Sequence, residues 1–113
     1  MQLRTQRKNG VTLIQPVGTL DMDSHLVLKK KVRQLAEDGN VRILIDMSGL
    51  TGIDSTGIGT LVALLNTVRA RGGDILLAGE ISPSVLDILR LCGLTTVFRI
   101  YNNVETGIQD FLQ

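Results

Sequence analysis

Apolar positions along this chain repeat in two rhythms, one of about two residues and one of about 3.6, and the places where one gives way to the other delimit its elements. Leu3 to Lys8 and Val11 to Val17 read as strands joined by Asn9-Gly10, a dipeptide suited to the tight turn of an antiparallel hairpin. Pro16 has no backbone donor, so it fits an edge or a strand terminus. After a turn over Gly18 to Asp23, Ser24 predicts the cap of a helix with Leu28, Val32, Leu35 and Ala36 on one stripe, stopped by Gly39-Asn40. Val41 to Met47 has an almost continuous apolar centre, the mark of a mid-sheet strand covered by helices on at least one face.

A second helix runs to Arg71 with Ile58, Leu61, Leu65 and Val68 in line, basic residues at its negative end and Gly72-Gly73 beyond. Asp74 to Ala78 is the next strand. Ser82-Pro83 opens a third helix that carries Val85, Ile88 and Leu89 and ends at Leu91. Val97 to Tyr101 reads as the last strand. Asn103 caps a terminal helix whose Val104, Ile108, Phe111 and Leu112 would lay it back on the sheet. This order predicts one α/β domain over residues 1–113, with a mixed, mostly parallel sheet of about five strands, about four helices and right-handed crossovers.

Composition narrows the function. Of the 113 residues, 43% are hydrophobic and only 3% aromatic, so Leu, Ile and Val fill the core and no base-stacking platform is available. A net charge of +1 argues against nucleic acid and against direct binding to an anionic membrane. Lys29-Lys30-Lys31 with Arg33 reads as a solvated helix face. Cys92 is the only cysteine and, among Leu89, Leu91 and Leu94, is expected to be a buried structural thiol. The charged start of the chain lacks a signal pattern and no apolar run is long enough for a bilayer span, so a cytoplasmic location is expected. A lone His25 gives no support to a metal site.

Candidate chemistry gathers at Ile53-Asp54-Ser55-Thr56-Gly57-Ile58-Gly59-Thr60-Leu61, where two adjacent hydroxyls follow a carboxylate at a strand-to-helix junction. Residue chemistry alone favours ordinary helix capping, because Asp, Ser and Thr begin helices in any protein. Gly57 and Gly59 add to the picture. Glycine in the first turns costs about 1 kcal/mol against alanine, which points to a packing need or to close approach of another surface.

Three segments carry a family resemblance: Gly18-Thr19-Leu20-Asp21, the hexapeptide Asp54-Ser55-Thr56-Gly57-Ile58-Gly59, and Gly72-Gly73-Asp74-Ile75-Leu76-Leu77 with the later Gly93-Leu94. Over nearly its whole length the chain resembles the STAS domains of bacterial anti-sigma factor antagonists. That resemblance implies a non-enzymatic module that, unphosphorylated, binds an anti-sigma factor serine kinase and frees a sigma factor. The kinase would inactivate it by phosphorylating Ser55, with Thr56 the second candidate acceptor, and a phosphatase would reset Ser55. ATP would belong to the kinase, and the domain itself would need no cofactor.

Carried over to this chain, the partner surface comprises Asp21, Asp23, Asp54, Ser55, Thr56, Gly57 and Ile58, with Leu20 and Met22 as possible apolar contacts. Turn formation explains Asp21 equally well. Thr56 is expected to bond its hydroxyl to backbone in the first helical turn. The chain departs from the family at Thr19, where many members carry a charge, and at Gly52, where a larger residue is common. STAS domains also serve as constitutive scaffolds or transporter accessories, and that alternative stays open. A hydrolase reading would need His25 to activate Ser55, but no nucleophile-elbow pattern surrounds that serine.

Overall fold

The computed structural model describes residues 1–113. Strand β1 (Gln2–Lys8) and strand β2 (Val11–Leu20) form the expected hairpin, with Asn9 and Gly10 both at positive φ in the turn. Helix α1 (His25–Glu37) buries Leu28, Val32 and Ala36. Strand β3 (Arg42–Asp46) is followed by a 3-10 turn (Met47–Gly49), strand β4 (Leu50–Ile53) and helix α2 (Ser55–Ala70). Strand β5 (Asp74–Ala78), helix α3 (Pro83–Leu91), strand β6 (Ile100–Tyr101) and helix α4 (Val104–Phe111) complete the chain.

The sheet has six strands in the order β1-β2-β3-β5-β6, with β4 also pairing β2. Only the hairpin is antiparallel; every other pair is parallel. β3 lies at the centre, and both of its faces are covered. Ile43 and Ile45 join the main core beneath α1, α2 and α3, while Leu44 joins a smaller core beneath α4. Ile75 and Leu77 of β5 face the first core, Leu76 and Ala78 the second. Burial on two faces accounts for the unbroken apolar runs in these strands.

Four expectations about the strands need correction. The sheet gains β4, so the helix that carries the hydroxyls follows a separate short strand rather than the one over Val41 to Met47. β2 continues through Gly18 to Leu20, where a turn was expected, because β4 gives that stretch a parallel partner. Pro16 therefore lies within a long interior strand. It occupies the interval after β2 leaves β3 at Ile14 and before it meets β4 at Gly18, where no parallel partner claims a donor. The last strand is two residues long, because a 3-10 turn over Leu94–Thr96 buries Leu94 and brings Phe98 into the core ahead of it.

Cys92 is exposed rather than buried. It falls just past α3, whose inward stripe is Val85 and Leu89, and neighbouring Leu91 also faces outward.

Candidate functional site

The end of β2, the loop before α1 and the start of α2 converge on Asp54. Its backbone is extended, the geometry of an N-cap, and its Oδ1 accepts from the Gly57 N–H at 2.9 Å. Oδ2 accepts from the Met22 N–H at 3.2 Å, and the Asp54 N–H donates to the Leu20 carbonyl at 3.2 Å. One residue thus starts α2 and fastens the loop before α1 against it.

Gly57 is required by packing. A Cβ there would lie 2.3 Å from the Leu20 carbonyl oxygen and 2.7 Å from Ile53 Cγ1, so α2 rests directly on the backbone of β2. Gly57 is buried and positions the site rather than presenting a contact. Gly59 is exposed, and a Cβ there would meet nothing within 4 Å. The close approach foreseen for both glycines is internal at the first and open to the outside at the second.

Ser55 is the first residue of α2 and is exposed. Both oxygens of the preceding carboxylate are committed to backbone donors, so Asp54 leaves the hydroxyl unclaimed. Unpaired N–H groups and the positive end of the helix dipole surround that hydroxyl, a setting that favours an added anion. Thr56 is half-buried. Near the start of α2 the hydroxyl that folds back onto the helix belongs to Thr60, which donates to the Thr56 carbonyl at 2.9 Å, whereas the expectation gives this bond to Thr56. His25 Nδ1 lies 3.4 Å from Thr60 Oγ1. The chain's one imidazole is therefore turned to Thr60.

Asp21 builds the loop: its Oδ1 accepts from the N–H groups of Asp23 and Ser24, each at 3.0 Å. Ser24 does not cap α1 as expected. Its buried hydroxyl accepts from the Asp21 N–H and donates to the Thr19 carbonyl, so the loop consumes the group the helix would have used. Asp23 is exposed, and Ile58 packs partly against the main core. Thr19 and Gly52 face each other across the β2–β4 ladder, and the Thr19 hydroxyl lies 3.3 Å from that of Thr51.

Of the two apolar candidates in the loop, Leu20 is fully buried and Met22 is 71% exposed. Sequence reasoning missed Leu26 and Val27, which extend the exposed apolar surface onto α1. The signal was present, since both fall outside the stripe Leu28, Val32, Leu35 and Ala36. No cation neutralises Asp21, Asp23 or Asp54: the ion pairs are Lys8–Glu105, Arg69–Asp74, Arg99–Asp74 and Arg99–Asp110. No group of three His, Cys, Asp or Glu side chains is placed to share a metal ion, and no helix is long and apolar enough to cross a membrane.

The model of the STAS domain family matches residues 2–107. The chain belongs to the STAS domain family. The anti-sigma-B factor antagonist of Bacillus subtilis (strain 168) is 29% identical over 92% of this STAS domain and 93% of the relative. The crystal structure of an anti-sigma factor antagonist from Mycobacterium paratuberculosis matches with a TM-score of 0.88 at 19% identity, covering 99% of this chain and 94% of that one. The Bacillus cell fate determinant SpoIIAA in its phosphorylated form matches with a TM-score of 0.74 at 19% identity, over 99% of this chain and 100% of that one. At such identities the structural matches establish the shared STAS fold.

Proposed function

We propose that this STAS domain is an anti-sigma factor antagonist that works as a phosphorylation-controlled docking module. Unphosphorylated, it binds an anti-sigma factor serine kinase and so frees a sigma factor. The kinase, using its own ATP, inactivates it by phosphorylating Ser55, and a phosphatase restores it. The observation that carries this reading is the exposed Ser55 hydroxyl at the first position of α2, beside a carboxylate whose two oxygens are already engaged.

A phosphate on Ser55 brings about −1.5 to −2 charges and three acceptor oxygens. They arrive next to Asp54 and in the company of Asp21 and Asp23, a group with no cation paired to it. A partner surface shaped for the unmodified turn then faces repulsion and desolvation. Weakening by about a hundredfold corresponds to about 2.7 kcal/mol, within reach of a misplaced dianion at a close interface. Asp54, Ser55, Thr56 and Ile58 supply the contact surface, Gly57 holds it in place, and Asp21 and Asp23 line its rim.

Incubation with an ATP-dependent anti-sigma kinase, followed by mass mapping, tests the proposal. The expected result is one phosphate on Ser55 and loss of kinase binding on modification. Equal affinity of the modified and unmodified domain for that kinase would reduce the domain to a constitutive adaptor.

A further inference from the structure

Helix α1 concentrates positive charge beside the site. Lys29, Lys30, Lys31 and Arg33 fall within five positions of a chain with twelve basic and eleven acidic residues, so the rest of the chain is net acidic. None of these four takes part in an ion pair. Lys29 and Arg33 stand four residues apart on the helix, a like-charge spacing that disfavours it. Leu26, Lys29, Lys30, Arg33, Gln34 and Glu37 line one open depression of about 610 Å³.

This depression begins at Leu26, four positions after Met22 of the candidate site. Leu26 is 64% exposed one turn before Lys30, and the equally prominent Met22 is the residue whose backbone Asp54 holds. In chain order, Met22 in the loop that Asp54 holds, Leu26 in the first turn of α1 and the cations that share the depression with Leu26 make up one strip leading away from the acidic Ser55 turn.

We propose that this strip is a docking track for an acidic amphipathic segment of the protein partner, which seats an apolar residue on Met22 and Leu26 and sets carboxylates against Lys29, Lys30 and Arg33. The inference rests on the docking function proposed above and adds the chemistry of the partner. An anionic lipid surface fits less well, because its uniform charge would meet Glu37 within the depression itself and the exposed Asp23 in the loop before α1. A protein can alternate its charges to suit. Its acidic segment also gains rate as well as affinity from such a field, and both fall with salt.

The test has a kinase-dependent arm and a kinase-free arm. With the kinase, Lys30→Glu/Arg33→Glu should raise the half-saturating concentration of the domain at least about tenfold at low ionic strength, with the gap closing as salt rises. The neutral pair Lys30→Gln/Arg33→Gln should fall between the variant and the wild type, and circular dichroism checks that the exposed substitutions leave the fold intact. Without the kinase, a synthetic helical peptide with a leucine stripe flanked by glutamates should shift the NMR amide signals of Leu26, Lys30 and Arg33, while its glutamine counterpart should not. Wild-type behaviour of the charge-reversed variant, or peptide shifts elsewhere or absent, overturns the proposal. So does binding of the wild type, but not the variant, to phosphatidylglycerol vesicles with kinase affinity unaltered. Should no kinase phosphorylate Ser55 while the peptide still shifts α1, the phosphorylation reading fails and the track stands.

Discussion

The Asp54 carboxylate binds the Met22 N–H at 3.2 Å across thirty-two positions of sequence while its other oxygen caps α2 at Gly57. One short side chain thus ties the first turn of α2, which carries Ser55, to the loop that carries the exposed Met22. Asp54→Ala should remove both bonds and cost about 1 kcal/mol, the usual size of a lost N-cap. Denaturant unfolding measures the loss, and hydrogen exchange should show the Met22 amide opening faster than in the wild type. An unchanged Met22 exchange rate would show that the loop is held by Asp21 and Ser24 alone.

Ser55→Ala deletes only an exposed hydroxyl, so the domain should fold and bind its partner as before while taking up no phosphate. Ser55→Asp should weaken binding, by less than phosphate does because it adds a single charge. Mass spectrometry after kinase treatment and titration calorimetry read the two effects. Phosphate retained by the alanine variant would move the acceptor to Thr56.

The two glycines of the hexapeptide should respond oppositely to alanine. At Gly57 the methyl would press on the Leu20 carbonyl at 2.3 Å, and overpacking of this kind costs about 1–3 kcal/mol. At Gly59 the methyl meets open space in a helical position, and the gain in helix propensity should stabilise by up to about 1 kcal/mol. Thermal midpoints of the two variants should fall on either side of the wild type. The Gly59 variant also tests docking, since a partner that needs bare backbone there would lose affinity despite the firmer fold.

Asp74 ties β5 to its surroundings. It accepts from Arg69 at 3.1 Å and from Arg99 at 2.7 Å, and Arg99 also pairs with Asp110. Partial burial pushes its carboxyl up, but hydrogen bonds from Arg99, Arg69 and the Ile75 N–H outweigh this and hold it below its ordinary 3.8. A carboxyl lowered in the folded state stabilises at pH above its unfolded value, and that contribution is lost as pH falls through the folded value. The stability difference between wild type and Asp74→Asn should therefore be full near neutrality and shrink below about pH 4. Urea titrations at neutral and strongly acidic pH check the sign.

Much of this architecture was legible because it is written in local periodicity. The Asn9-Gly10 turn, the stripes of α1 and α2, the two-faced strands β3 and β5 and the Asn103 cap all depend on residues near one another in sequence. What escaped depends on distant partners. Leu50–Ile53 is too short, and too diluted by Gly52, to announce a strand; it becomes one because the extension of β2 pairs with it. Ser24 carries the right side chain for a cap, yet Thr19 and Asp21 draw its hydroxyl into the loop. At the site, the hexapeptide located the exposed serine, but the reach of Asp54 to Met22 could not be read from either segment alone.

Gly57 leaves α2 seated on the β2 backbone with no room for even a methyl group between them. The helix that presents Ser55 therefore has no slack with which to slide or tilt toward the sheet. A group attached to that hydroxyl, as proposed above, would therefore speak to the outside through surface potential rather than through a shift of the helix.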